Sequence, residues 1–137
     1  MEINFVAVLV ATVAMFAVGA FWYMVPFAKA WGEMHGFEKL SKKEQQEMQS
    51  KMGPYYGLQV LVTLISAWAL AYFLAAVPDM AWYITAFVLW LGFIVPTEIS
   101  SVIFGGTEGK WIAKKIAISI GGSLAATLVG AWVISLF

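Results

Sequence analysis

The sequence predicts an all-α fold: an integral membrane bundle of four antiparallel transmembrane helices, with a short polar helix in the first cytoplasmic loop. Three observations predict it. Charged residues make up 12% of the chain and hydrophobic residues 62%, whereas a soluble domain carries about 25% charged residues. Four apolar runs each reach the ~20 residues that a spanning helix needs. Ile3 to Ala28, Met52 to Val77 and Ile116 to Phe137 carry no charge, and Met80 to Phe104 carries only Glu98. The runs are also continuous, without the ~10-residue alternation of barrel strands, and a continuous run in lipid satisfies its backbone groups only as a helix. The expected organisation is a single membrane domain over 1–137. Its helices lie at about 3–26, 54–77, 80–104 and 110–137, with a cytoplasmic loop at 27–53.

The first run is over 20 residues long and opens Met1-Glu2. A secretory signal has a basic start and a shorter apolar core, so the run reads as a retained helix despite the small-x-small string Ala28-Lys29-Ala30. It ends near Pro26, whose ring interrupts the helical ladder. In the loop that follows, Ser41 and Glu44 have the spacing of a capping box, which predicts a polar helix over about Lys42 to Met52. The alternating charges there describe a solvated surface helix, or a handle for a partner. Gly53-Pro54 restarts the chain into the second span, Val77-Pro78-Asp79 turns it on the far side, and Gly105-Gly106-Thr107-Glu108-Gly109 turns it into the fourth.

Lysine sets the direction. There is no Arg, and all eight Lys fall in two connections on one side of a four-span chain: Lys29, Lys39, Lys42, Lys43 and Lys51, then Lys110, Lys114 and Lys115. The other side carries Glu2 and Asp79. Short basic loops stay cytoplasmic, so loops 27–53 and 105–110 are expected inside a bacterial inner membrane and both termini outside. Trp22, Tyr23, Trp31, Tyr55, Tyr56 and Trp111 fit an inner aromatic belt, and Tyr72, Trp82, Tyr83 and Trp132 an outer one. Trp68 and Trp90 lie nearer mid-helix and are expected to pack.

Small residues permit close approach of helices in lipid. Ala67, Ala71 and Ala75 make one such stripe on the second span. The fourth has two: Gly122, Ala126 and Gly130, and Ser119, Ser123 and Thr127. Two stripes on one helix predict two neighbours, or one neighbour and a subunit interface.

The string Gly19-Ala20-Phe21-Trp22-Tyr23-Met24-Val25-Pro26-Phe27-Ala28-Lys29-Ala30-Trp31, closing on Gly36, resembles the opening signature of a family of small bacterial four-helix membrane proteins. That family is known only as domain of unknown function seventeen sixty-one. Trp90-Leu91-Gly92-Phe93, Pro96-Thr97 and Phe104-Gly105-Gly106 extend the resemblance, as does the small-residue-rich closing helix. It implies the same four-helix plan and no activity. The third connection in that family often carries Arg, whereas here it carries only Lys.

Glu98 is the outstanding candidate for chemistry. It stands six residues before the end of the third run, roughly 9 Å inside it at ~1.5 Å per residue. An ionised side chain at membrane depth costs on the order of a few kcal/mol, so it needs a partner, water or a proton. Pro96 leaves the carbonyl of Gly92 without its donor, and Thr97, Ser100 and Ser101 add hydroxyls; the candidate intramembrane polar site is Glu98, Pro96, Thr97 and Ser101. If the turn centres on Thr107, Glu98 faces position 116, within reach of Lys114 and Lys115. The residues then support three readings: a structural ion pair, a group that titrates or binds a cation or polar substrate, or a water-exposed Glu without a role. Lys110, Lys114 and Lys115 sit where the helix dipole disfavours them, which makes them candidates for ion pairing or for anionic-lipid contact.

His35 is the single histidine, and with no Cys and no HExxH pattern the residues specify no metal site. An exposed loop histidine and a surface pH sensor are the two readings for it. No cofactor, no catalytic set and no nucleic-acid partner is expected. The functional expectations are three. The first is a small oligomeric transport or channel module using the Glu98 region. The second is an accessory subunit packed against a larger membrane complex. The third is an intramembrane enzyme, which the thin inventory of nucleophiles and bases disfavours.

Overall fold

A computed structural model describes residues 1–137. It is all helix: α1 (Phe5–Met24), α2 (Ala28–Met34), α3 (Lys42–Ser50), α4 (Gly53–Ala76), α5 (Trp82–Leu89), a π-helical turn (Trp90–Ile94), α6 (Val95–Phe104) and α7 (Ile112–Ser135), with 3-10 turns at Phe37–Lys39 and Gly109–Trp111. Four stretches are long and apolar enough to cross a membrane: Phe5–Met24, Gly53–Ala76, Trp82–Phe104 and Gly109–Ser135. The chain is an integral membrane protein of four spans, as hydropathy predicts. The third span is α5, the π turn and α6 in one continuous rod.

The ends of the elements follow from local chemistry. Asn4 caps α1 by accepting the Ala7 N–H at 3.1 Å. Pro26 stands just past the end of α1, and the chain then forms a helix that hydropathy alone does not reveal, α2. Gly36, at φ 69°, closes it in a left-handed conformation that few other residues tolerate. The capping box at Ser41 is present in both directions: the Glu44 N–H donates to Ser41 Oγ at 3.2 Å, and the Ser41 N–H donates to Glu44 Oε2 at 2.9 Å. The Gln45 side chain binds the carbonyls of Phe37 and Leu40, tying α3 to the turn before it. No residue of α3 is buried. Pro54 lies in the first turn of α4, where its missing N–H is not needed.

α1 lies between α4 and α7, and small residues bring all three together. Ala67 and Ala71 of α4 pack on Val8, Ala11 and Met15 of α1, with Val133 of α7 completing the cluster. On α7 the approach is closer still. A Cβ at Gly130 would stand 2.5 Å from the Met15 sulfur, and one at Gly122 would stand 2.9 Å from the Trp22 ring. The opposite side of α7 meets the third span through Ala131 against Ala86, with Leu70 of α4 between them. The two stripes of the fourth helix therefore serve two neighbours within one chain. Buried hydroxyls need no partner from another helix: Thr12, Thr63 and Thr127 each donate to the carbonyl four residues back in their own helix, all at 2.7 Å.

α4 is packed along only part of its length. From Gly53 to Val62 every residue is exposed, and burial begins at Thr63. Trp68, expected to pack, is 44% exposed. It follows Ala67 in sequence and so points about 100° away from the seam that Ala67 fills.

Candidate functional site

The third span is not a regular α-helix, and the irregularity aims Glu98. Pro96 cannot donate a backbone hydrogen bond. One turn before it the helix widens, and the Val95 N–H reaches back five residues to the Trp90 carbonyl. Such a turn adds one residue to the ladder. In a regular α-helix a residue eight positions after Trp90 would lie about 80° off its direction, and one seven positions on would lie close to it. Trp90 is buried against α7. Without the added residue Thr97 would point the same way. With it, Glu98 and Val102 turn inward, while Thr97 and Ser101 stay exposed. Thr97 instead donates to the Phe93 carbonyl at 2.9 Å.

The four residues grouped by sequence therefore do not share a site. Glu98 faces α7; Pro96 shapes the backbone; Thr97 and Ser101 lie on the outer face of the rod. The partners of Glu98 come from residues assigned to packing. The Ser123 hydroxyl donates to Glu98 Oε2 at 2.8 Å. The Trp90 indole N–H donates to Ser123 Oγ at 3.0 Å and shares the Ile120 carbonyl at 3.1 Å. The Ser123 oxygen is also 3.1 Å from that carbonyl, so its single proton has two acceptors to choose between.

The expected pairing of Glu98 with Lys114 or Lys115 is not made. Glu98 meets Ser123 rather than position 116, two helical turns further along α7. Symmetric counting about Thr107 fails because the connection is asymmetric: Gly105 ends α6, Glu108 is extended, and a 3-10 turn intervenes before α7 begins at Ile112. The lysines turn outward. Lys110 pairs with Glu108 at 3.4 Å, an exposed contact, and Lys110 and Lys114 each lie 5.6 Å from the Trp111 ring. Lys115 Nζ instead meets His35 Nε2 at 3.1 Å and stands over the Trp31 ring at 5.5 Å.

A second tryptophan, Trp22, mirrors Trp90 from the other side of α7. Its indole N–H donates to the Ile118 carbonyl at 2.9 Å, across 96 residues of sequence, and its ring lies flat on Gly121 and Gly122. It packs on α7 at the end of α1, where the sequence places a belt residue. Next to it Tyr23 neighbours Ser119 and lies within electrostatic reach of Glu98, while its ring packs on Trp31 at 4.6 Å. Trp31 packs in turn on His35 at 4.6 Å. Tyr23, Trp31 and His35 thus form a row of stacked rings running to the lysine-bearing end. One signal in the sequence bears on it: Trp22-Tyr23 and Trp31 lie eight or nine residues apart across a proline, facing a glycine pair in the fourth span.

The chain belongs to the family described as "Protein of unknown function (DUF1761)", whose model matches residues 6–135. The resemblance drawn from the Trp-Tyr and Pro-Phe motifs is thereby shown. No curated protein and no solved structure matches the chain.

Proposed function

We propose that this protein is a small proton-coupled transport module of the bacterial inner membrane, in which Glu98 is the proton-binding group. One observation carries the reading. The hydrogen-bond set around Ser123 satisfies Glu98 in either protonation state without moving a backbone atom. With Glu98 ionised, Ser123 donates to it and accepts from Trp90. With Glu98 protonated, the carboxyl O–H donates to Ser123 Oγ, and the serine proton turns to the Ile120 carbonyl 3.1 Å away. A hydroxyl has one donor and two acceptor positions; the ionised arrangement uses the donor and one acceptor, and the protonated arrangement uses all three. An ion-paired structural glutamate has no need of such a switch, and intramembrane carboxyl groups commonly mark proton or ion pathways.

In this reading the two lysine-bearing connections are cytoplasmic and both termini lie outside, following the distribution of basic residues. Lys110 and Lys114, gathered on Trp111, meet anionic headgroups there. Four spans are few to enclose a pathway, so the working unit is an oligomer. The reading includes no enzymatic step.

Reconstitution into liposomes tests it. Wild-type protein should dissipate an imposed pH gradient, and Glu98→Gln should abolish the flux. Because the Gln carbonyl still accepts from Ser123, stability should change by no more than about 1 kcal/mol. Pro96→Ala should relax the π turn and lower flux without touching the carboxyl group. Equal flux in wild type and Glu98→Gln would refute the proposal.

A second reading, an accessory subunit of a larger membrane complex, is favoured by the exposed first part of α4, Gly53 to Val62, and by α3, exposed apart from Gln45. It predicts no flux from the purified chain and loss of a specific co-purifying membrane complex on changing Tyr56 or Leu61.

A further inference from the structure

The polar cluster at the lysine-bearing end is built as a latch. Lys115 Nζ carries only donors, so at 3.1 Å the His35 Nε2 it meets must be the acceptor. The proton of the neutral ring then sits on Nδ1, where it donates to the Trp31 carbonyl at 2.7 Å. That is the opposite of the tautomer free histidine favours, and the two contacts impose it together. The ring cannot take a second proton and keep both. An Nε2–H would point at a cation, and two positive charges would stand at hydrogen-bond distance.

The latch joins α2 to α7, where the Lys115 ammonium also stands over the Trp31 ring at 5.5 Å, and no carboxylate supports it. The ion pair in the structure is Lys110–Glu108, away from the ring. The charged groups on the elements around His35 are Lys29 and Glu33 of α2, Glu38 and Lys39 of the next turn, and Lys114 and Lys115 of α7. None of the carboxylates bridges to His35. α2 stands at the end of α1 nearest Glu98: Trp31 packs on Tyr23 at 4.6 Å, and Tyr23 neighbours Ser119 of α7.

We infer that α2 is a pH-sensitive cover over the cytoplasmic approach to Glu98, held shut by the Lys115–His35 contact and released when His35 is protonated. This rests on the transport reading for the meaning of the route, but the latch itself is a separate statement about α2. The sign follows from the geometry. The contact exists with His35 neutral, so the cover is shut at higher pH and opens as the cytoplasmic pH falls. Imidazole is the side chain whose charge ordinarily changes nearest neutrality.

Two measurements on the full chain in nanodiscs test the inference. The single His makes imidazole nitrogen NMR unambiguous. Above neutral pH the wild-type spectrum should show the Nδ1–H tautomer with Nε2 accepting from the ammonium, and Lys115→Met should move the Nε2 resonance to that of a nitrogen without this donor while the Trp31 carbonyl keeps the proton on Nδ1. The absence of Cys allows spin labels at Lys39→Cys and Ala113→Cys, both at exposed positions. Their distance should be short and single at high pH, with a longer population replacing most of it as pH falls. His35→Gln and Lys115→Met should each remove that pH response.

An Nε2–H tautomer in wild type, a distance that ignores pH, or a response that persists in His35→Gln would each overturn the latch. Glu98→Gln separates the two proposals, since it should leave the distance response intact while ending flux. If wild type shows no flux but the distances still respond, the transport reading fails and the latch stands.

Discussion

The two halves of the bundle are held together by different kinds of contact. In the half remote from the lysines, α1, α4 and α7 are clasped by Ala11, Ala67, Ala71 and Gly130, and the buried threonines spend their hydroxyls on their own helices. Nothing there is directional between helices. In the lysine-bearing half α4 makes no packing contact with a buried residue, and what joins the remaining helices is a set of directional bonds: Trp22 to Ile118, Trp90 to Ile120 and Ser123, Ser123 to Glu98, and Lys115 to His35. Close packing in lipid is unforgiving of volume, whereas a hydrogen bond can exchange partners at small cost. Stability is concentrated in the first half and adjustability in the second, and the only intramembrane carboxyl group lies in the second.

The comparison breaks most severely at Ala67. With 0% of its surface exposed and α1 immediately against it, Ala67→Leu should cost at least about 1–3 kcal/mol. Thermal unfolding in detergent should show the loss, and Glu98 chemistry should fail only as the fold fails. Trp22→Phe is the corresponding change in the other half. It keeps most of the ring on Gly121 and Gly122 and removes only the indole N–H, so the cost should be about 0.6 kcal/mol, the average found for interhelical hydrogen bonds in membranes. A loss several times larger would mean that this half is also rigidly packed. The smallest effect is expected at Leu61, 51% exposed on the unpartnered part of α4. Leu61→Ala should change the stability of the isolated chain by no more than about 0.5 kcal/mol, and any larger change would reveal an associated copy or partner.

The packed half was largely legible in the sequence, and the adjustable half only in outline. Continuous apolar runs locate four spans because lipid leaves the backbone no alternative. Alanine and glycine at four-residue spacing mark seams because only small side chains allow that approach. The Ser41–Glu44 spacing located α3 for an equally local reason. Glu98 stood out by its cost alone. Its partner did not, since pairing across a hairpin depends on how many residues the turn consumes, and the extended Glu108 and the 3-10 turn at Gly109–Trp111 leave no compositional trace. Pro96 announced a disturbance, but not that it would take the form of a π turn and rotate Glu98 inward past Thr97. Trp22 reads as a belt residue and Trp90 as a packing residue. Only the tertiary arrangement shows that each indole N–H finds a carbonyl on α7. The Lys115–His35 contact joins residues 80 positions apart, beyond the reach of any local signal.

The bond from Trp22 to Ile118 has a consequence for how the protein is made. Its partners are separated by 96 residues, which a ribosome adding 5–20 residues per second takes roughly 5 to 20 s to synthesise. Once α1 has left the ribosome, its indole and the neighbouring tyrosine await a helix that does not yet exist. The first span must therefore persist as an independent apolar rod, and its near-uniform hydrophobicity suits it to do so. A chaperone or insertase that shields the Trp22 face during this wait would act on the nascent chain alone, because the finished bundle hides that face on the glycines of α7.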